Sequence, residues 1–304
     1  MLIAAIIFVL SGALIIKSAD KLVEAAAKIA KSFGLSEFFI GMTIVAVGTS
    51  APEIFTSVLS SVYGFEGITF GTLVGSNITN ILLILGAIAW LKPIPTNWEQ
   101  KRKDFTLNLI ATSLLVLFCI TGFKLGFIEG MLLVGFFFLA LYLMIQKNHI
   151  FGSKKKEWVP KDWLFVLIGL IGLIIGSHFF VNSAEEIAIQ LSIPEYIIGF
   201  TIVAIGTSLP ELVTCITAAI KNKPGISIGA IVGSNLFNIT FGLGISSMIR
   251  EINIEPIMLF FHLPLLLGST IILGHFIRKG RIDQNAGIIF LLLYALYIAL
   301  TIFG

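Results

Sequence analysis

The chain has 304 residues, of which 57% are hydrophobic and only 12% are charged. Its mean hydropathy is +1.02. A soluble domain of this length could not bury so much apolar surface, so the composition excludes an ordinary soluble protein and predicts one surrounded largely by lipid. The net charge of +3 gives no indication of a nucleic-acid partner, and nothing in the sequence implies a protein partner.

Ten apolar segments follow one another along the chain, each near the roughly 20 residues that a membrane-spanning helix needs. They cover residues 2–19, 38–62, 68–91, 105–121, 125–145, 163–182, 196–220, 226–249, 257–277 and 284–303. The runs are continuous, whereas a membrane β-barrel would show short alternating segments. The sequence therefore predicts an all-α polytopic membrane protein with ten transmembrane helices.

The chain matches itself when it is shifted by 158 residues. Residues 40–86 and 198–244 agree at 23 of 47 positions, and the identical positions include Gly, Pro, Thr, Ser, Asn and Glu. This indicates a duplication, with a first repeat at 1–146, a linker at 147–162 and a second repeat at 163–304. Each repeat holds five segments, and because five is odd the second is predicted to be inverted in the membrane, as in many secondary transporters.

Lys and Arg residues accumulate in the cytoplasmic loops of membrane proteins. When the loops between the ten segments are counted alternately, nearly all of their basic residues fall in one set, and only Lys124 and Arg250 fall in the other. This bias predicts a multi-pass protein of the cell membrane, with both termini outside and the linker at 147–162 in the cytoplasm.

Segments 2 and 7 contain the sequences GTSAPE, at Gly48–Glu53, and GTSLPE, at Gly206–Glu211. Proline and glycine predict that both helices are broken there. Inversion would bring Glu53 and Glu211 to a similar depth, where a charged side chain costs about 2.5–3.5 kcal/mol. No Lys or Arg lies in the middle of any segment to pair with them, so a bound cation is expected.

Further oxygen atoms are expected around the two carboxylates. The broken turns would leave the carbonyl oxygens of Ala46 and Ala204 without partners, which is tolerated in a membrane only where they line a cavity. Hydroxyl and amide groups lie at the breaks and in the sequences GSNITN and GSNLFN of segments 3 and 8, at Thr49, Ser50, Ser76, Asn80, Thr207, Ser208, Ser234 and Asn238. In those two sequences Gly75 and Gly233 would allow helices to approach closely. Oxygen ligands without a His, Cys or Met cluster favour a hard cation such as Ca²⁺ or Na⁺.

Two inverted repeats, each with GTSxPE followed by GSNxxN, resemble the cation/calcium exchanger superfamily on its sodium/calcium branch, over nearly the whole chain. The resemblance implies an antiporter, and not an enzyme, that exchanges Na⁺ for Ca²⁺ by alternating access without any cofactor. It also implies that Glu53 and Glu211 are the principal calcium ligands, surrounded by the Thr49 and Thr207 carbonyls, Asn80 and Asn238. Flanking sodium sites would be formed by Ala46, Ser50, Ser76, Ala204, Ser208 and Ser234.

One position departs from some archaeal members of the superfamily, which have Asp where this chain has Asn238. The site then has two carboxylates, which leaves the stoichiometry and the ion preference open. The alternatives are a proton-coupled antiporter of Ca²⁺ or another divalent cation, a channel and an intramembrane enzyme. GTS in both repeats favours sodium, since proton-coupled relatives usually carry a GN-type first motif. Segments 1 and 6 are rich in glycine, and we hypothesise that they slide across the other eight helices.

Overall fold

The computed structural model describes residues 2–96, 98–147, 160–191 and 204–303, and this part of the chain is almost entirely helical. A helix that continues through a π-helical turn is counted here as one. The helices of the first half are α1 (Leu2–Phe33), α2 (Glu37–Thr49), α3 (Ala51–Tyr63), α4 (Glu66–Leu91), α5 (Trp98–Gly122) and α6 (Phe127–Lys147). Those of the second half are α7 (Pro160–Gln190), α8 (Ala204–Thr207), α9 (Leu209–Ile220), α10 (Pro224–Ile249), α11 (Met258–Arg278) and α12 (Gln284–Phe303).

Within the described ranges, eight helices are long and apolar enough to cross a membrane, and the bent pair α2–α3 makes a ninth. The remaining predicted segment, 196–220, is described only from residue 204 onward, so the total of ten helices stays a prediction. Most of the linker at 147–162 also lies outside the described residues. Helix α1 is longer than the predicted segment 2–19, because the alanine-rich sequence that follows residue 19 has a high helix propensity.

Both GTSxPE sequences interrupt a helix, as predicted. Helices α2 and α3 meet at an angle of 45° around Ser50, and α8 and α9 are separated at Ser208. The prolines, Pro52 and Pro210, lie in the first turn of the second helix of each pair. A proline is tolerated in that position because its missing N–H would have no helical partner there. Each motif therefore ends one helix and starts another, with its glutamate in the new first turn.

Helices α1 and α7 form a long antiparallel pair. The ring of Phe8 stacks on that of Phe180 with 4.2 Å between centroids, and Lys28 lies 3.9 Å from Asp162 at the opposite end of the pair. Only 28% of the most apolar stretch of either helix is buried inside the protein. The pair therefore lies at the periphery, with much of its surface available to lipid.

Helices α4 and α10 form the centre of the bundle. Their most apolar stretches are 78% and 89% buried, against at most 39% in the other single spanning helices of the described chain. Each contains a π-helical turn that starts at an asparagine, Asn80–Ile84 in α4 and Asn238–Gly242 in α10. These central helices present their polar residues to the breaks in the two motifs.

Two short antiparallel ribbons join the connections of one half to those of the other. Strand β1 (Ile94–Pro95) pairs with β4 (Arg281–Ile282), and β2 (Lys124–Leu125) pairs with β3 (Ile252–Asn253). The second ribbon is flanked by an ion pair of 2.8 Å between Lys124 and Glu251. Hydrogen bonding to Glu251 raises the pKa of Lys124.

The prediction of a close helix approach is confirmed for Gly233, where a Cβ atom would overlap the backbone carbonyl of Met42 in α2. A Cβ atom at Gly75 would lie 3.8 Å from the Tyr297 hydroxyl, its nearest neighbour in the described structure. The position equivalent to Met42 in the second half is residue 200, which lies outside the described residues. The prediction for Gly75 therefore stays open.

We expect Gly233→Ala to lower the free energy of unfolding by about 1–3 kcal/mol, because the new methyl group would push against backbone rather than against a movable side chain. The measurement is thermal or denaturant unfolding of the purified protein in detergent. Gly135→Ala in α6 is the control, since a Cβ atom there meets nothing within 4 Å. Equal stability of the two variants would contradict the close approach.

Candidate cation-binding site

Glu53 and Glu211 meet at the centre of the bundle. Their side chains are 0% and 1% exposed, and the two carboxyl groups interact directly with each other. Each glutamate lies in the first turn of a helix, α3 or α9, where the positive end of the helix dipole stabilises negative charge. No Lys or Arg among the described residues acts on either group, so the helix ends are the main source of compensating charge that the protein itself supplies.

Serine hydroxyl groups link the two motifs across the centre. Ser50 donates a hydrogen bond of 3.0 Å to Oε1 of Glu211, on the opposite motif. Ser76 of α4 donates to Oε1 of Glu53 over 3.5 Å, and its hydroxyl lies 3.3 Å from that of Ser208. The structure therefore brings together five of the predicted residues in one contact network.

Five buried oxygen atoms of the predicted site residues have no hydrogen-bond partner in the described structure. They are Oε2 of Glu53, Oε2 of Glu211, Oδ1 of Asn80, Oδ1 of Asn238 and Oγ of Ser234. Leaving a buried polar atom unpaired costs roughly 1–3 kcal/mol in proteins. Two of the five atoms belong to the carboxylates themselves, and a hard cation such as Ca²⁺ or Na⁺ would satisfy oxygen atoms of this kind.

The donor set also excludes some metals. The described residues contain no group of three or more His, Cys, Asp or Glu side chains that could hold a metal ion. A cation at this place would therefore be bound by two carboxylates together with amide, hydroxyl and carbonyl oxygens. Softer metals prefer imidazole or thiolate ligands, so these residues fit Ca²⁺ and Na⁺ better than zinc or copper.

The expectation for the Ala46 carbonyl is wrong. It accepts a hydrogen bond of 2.9 Å from the Ser50 N–H and one of 3.4 Å from the Thr49 hydroxyl. The reason is that Ala46 still belongs to the last turn of α2, in which the helical hydrogen bond is made. The carbonyl that loses its helical donor is that of Gly48, because Pro52 has no N–H. A carbonyl oxygen has a second lone pair, so the ligand role of Ala46 stays a prediction.

The other predicted site residues at the breaks are Thr49, Thr207 and Ala204. The Thr49 side chain is buried, and its hydroxyl interacts with the Glu211 carboxyl and also bonds back to the Val45 carbonyl over 3.1 Å. The ligand role of the Thr49 backbone carbonyl stays a prediction. Thr207 is partly buried on a cavity wall. Ala204 is the first described residue after the gap, and the structure neither supports nor contradicts its predicted role.

Sequence analysis missed two buried asparagines, Asn77 and Asn235, which are the third residues of the two GSN sequences. Asn80 donates to Oδ1 of Asn235 over 3.0 Å, and Asn238 donates to Oδ1 of Asn77 over 3.1 Å. The signal that could have revealed them is their identity in both copies of the motif, at the spacing of 158 residues.

A cavity of about 290 Å³ reaches the site between α7 and the broken helices. Its wall includes Thr56, Ser177, His178, Asn182, Thr207 and Pro210. Because Thr207 and Pro210 lie on its wall, this cavity borders the break in the second motif. A larger cavity of about 670 Å³, at Arg102, Lys103 and Gln146, does not border any of the motif residues.

Comparison with known proteins gives a consistent result. The family model described as sodium/calcium exchanger protein matches residues 3–146 and 161–303. The sodium/calcium exchanger MaX1 of Methanosarcina acetivorans is 29% identical over 346 residues, covering 98% of each chain. The putative antiporter CaxA of Alkalimonas amylolytica is 38% identical over 263 residues, covering 82% of each chain.

The fold is also similar to that of a solved exchanger. A structure of the sodium-calcium exchanger NCX_Mj, soaked with Na⁺ and Sr²⁺, superimposes with a TM-score of 0.89 at 32% sequence identity, covering 98% of each chain. With its apolar helices, the chain is a multi-pass membrane protein. It belongs to the sodium/calcium exchanger family, and is thus a cation antiporter and not an enzyme.

Proposed function

We propose that this protein exchanges Na⁺ for Ca²⁺ across the membrane, and that both ions bind between Glu53 and Glu211. The observation that carries the proposal is that five buried oxygen atoms of the predicted site residues, one from each carboxylate among them, have no hydrogen-bond partner in the described structure. Two carboxylates neutralise one Ca²⁺, and the amide and hydroxyl oxygens would complete the 6–8 ligands that calcium prefers. No resident cofactor is needed, because the ions are the cargo.

Exchange, rather than transport of both ions together, follows from the shared ligands. In the proposed site, oxygen atoms of Ala46, Thr49, Ser50, Ser76, Asn80 and their equivalents in the second half would surround the same two carboxylates. Sodium and calcium ions that use the same carboxylate oxygens compete for them, so a bound Ca²⁺ excludes Na⁺. Such competition at a single site, exposed to each side of the membrane in turn, couples the fluxes of the two ions in opposite directions.

We infer that the chain consists of two inverted five-helix repeats with ten transmembrane helices. Pairs of features at the spacing of 158 residues support this: the breaks at Ser50 and Ser208, and the π-helical turns at Asn80 and Asn238. The antiparallel packing of α1 against α7 is what inversion requires of the first helix of each repeat. With the bias in basic loop residues, this arrangement gives outside termini and a cytoplasmic linker.

The same symmetry indicates which side of the site is open. His178 and Asn182 of α7 line the cavity that leads to the site. Their equivalents in α1 are Asp20 and Glu24, and both contact Lys221 at the end of α9. Hydrogen bonding to Glu24 raises the pKa of Lys221, so this lysine keeps its positive charge to higher pH than an isolated lysine does. We infer that the structure is open to the outside and that this ion pair closes the cytoplasmic side.

Movement of α1 and α7 relative to the other helices would then alternate the access. Val181 borders the cavity wall at Gly206, whereas its equivalent Val23 is fully buried. An inward-open state would expose Val23 and bury Val181. The ion pair of Lys221 joins the moving helix α1 to α9, which carries Glu211, and would break in that state.

Transport in proteoliposomes tests the proposed function. An outward sodium gradient should drive calcium-45 uptake, and Glu53→Gln or Glu211→Gln should each reduce calcium affinity at least about tenfold, since a hydrogen-bonded charged group contributes about 1.5–3 kcal/mol. Glu255→Gln is the control for charge, because Glu255 is exposed and distant in sequence from both motifs. Uptake driven by a pH gradient without sodium would instead establish proton coupling, and full activity of both glutamine variants would refute the site.

Labelling of a cysteine at position 23 tests the closed cytoplasmic side. In a background without Cys119 and Cys215, we expect Val23→Cys to react slowly with a membrane-impermeant thiol reagent supplied from the cytoplasmic side. Adding Lys221→Gln should raise the labelling rate by about two- to fivefold, because an exposed ion pair contributes ~1 kcal/mol or less.

The matched control for this experiment is Lys223→Gln. Lys223 forms an ion pair of 2.6 Å with Glu37 of α2, which does not involve α1, so its loss should leave the labelling rate unchanged. If the two lysine variants raise the rate equally, the Lys221 ion pair has no specific part in closing the cytoplasmic side.

A further inference from the structure

Asn80 and Asn238 present an amide to the site, and an amide helps a cation only if its oxygen faces the ion. Each amide has an oxygen with negative partial charge and an N–H₂ group with positive partial charge, and a half turn exchanges them. The proposed function therefore depends on what fixes the orientation of these two side chains. None of the site residues predicted from the sequence accounts for that orientation.

Two backbone carbonyl groups fix the orientation of the Asn77 and Asn235 side-chain amides. Nδ2 of Asn77 donates to the backbone oxygen of Asn235 over 3.0 Å, and Nδ2 of Asn235 points to the backbone oxygen of Asn77 over 3.4 Å. A backbone carbonyl can only accept a hydrogen bond. Each of these two amides must therefore direct its nitrogen to the carbonyl and its oxygen the other way.

The second step fixes the amides of the site. Because Oδ1 of Asn77 is an acceptor, Asn238 must turn its Nδ2 toward it, and the two atoms lie 3.1 Å apart. In the same way Asn80 turns its Nδ2 toward Oδ1 of Asn235, 3.0 Å away. The oxygens of Asn80 and Asn238 then point away from this network, and both are buried without a hydrogen-bond partner.

We propose that Asn77 and Asn235 are positioning residues that hold the amide oxygens of Asn80 and Asn238, rather than their nitrogens, toward the bound cation. All four side chains are at most 1% exposed, so water does not compete for these hydrogen bonds. These hydrogen bonds form two chains, which we call relays. Each relay starts at a backbone carbonyl of one half, passes through an asparagine of the other half, and ends at an amide beside the carboxylates. The two halves thus orient each other's ligands. This inference rests on the proposed function.

Equilibrium binding of calcium to the purified full-length protein in sodium-free buffer tests the relay. Asn77→Leu keeps the approximate volume of the side chain but removes the acceptor, so the Asn238 amide is free to turn its N–H₂ group toward the carboxylates. We expect calcium binding to weaken at least about tenfold, as is typical when a group that orients a metal ligand is lost. Asn108→Leu is the matched control, because Asn108 is buried and donates to the Val232 carbonyl of α10 but lies outside the relay.

Rescue distinguishes positioning from packing. A carboxylate presents an oxygen in either orientation. In an Asn238→Asp background, the change Asn77→Leu should therefore alter calcium binding by less than about twofold. Most of the tenfold effect that Asn77→Leu has in the native background would then be absent. A purely structural role of Asn77 would give the same tenfold loss in both backgrounds and would overturn the proposal. The pair Asn235→Leu and Asn80→Asp repeats the test in the other half if Asn77→Leu does not fold.

Calcium binding distinguishes a failure of the relay from a failure of the proposed function. If the native protein binds calcium and Glu53→Gln weakens the binding, but Asn77→Leu and Asn235→Leu bind as tightly as Asn108→Leu, the relay is wrong and the proposed function stands. If the native protein does not bind calcium, the proposed function is wrong, and the inference that rests on it is overturned with it.

Discussion

The constraint on which the rest of the structure depends is the closeness of two buried carboxyl groups that act on each other electrostatically, without an ion pair to a cationic side chain in the described part of the chain. Glu53 and Glu211 repel each other when both are ionised, and burial strengthens that repulsion because little water screens it. The protein opposes it with the ends of α3 and α9 and with hydroxyl donors from Ser50 and Ser76. The breaks in the helices are necessary for this arrangement, since only a helix that starts at the motif can direct its positive end to the carboxylate.

Much of this arrangement could be predicted from the sequence. The two glutamates were identifiable because a carboxylate without a basic partner is rare in so apolar a segment, and the repeat at 158 residues related them to each other. The helix breaks followed from the position of proline. What failed was the identity of the freed carbonyl: Pro52 removes the donor for the carbonyl of Gly48, four residues before it, whereas the Ala46 carbonyl is bonded by the Ser50 N–H.

The roles of Asn77 and Asn235 required the three-dimensional structure. In the sequence they are polar residues one turn before Asn80 and Asn238, with the same chemistry as residues that merely hold helices together in a membrane. Their function depends on which group of each amide faces which neighbour, and that is set by the backbone carbonyls of the opposite half. Similarly, the contacts of Asp20 and Glu24 with Lys221 required the structure, because these residues are far apart in the sequence.

The two short ribbons constrain how this molecule moves. Strands β1 and β4 join the two halves at one pair of connections, and β2 and β3 join them at another. A rocking motion, in which each half turns as a rigid body against the other, would pull both ribbons apart. Helix α1 takes part in neither ribbon, and nor does α7. The ribbons are therefore compatible with the proposed transport cycle, in which α1 and α7 move while the helices that carry Glu53 and Glu211 keep their positions.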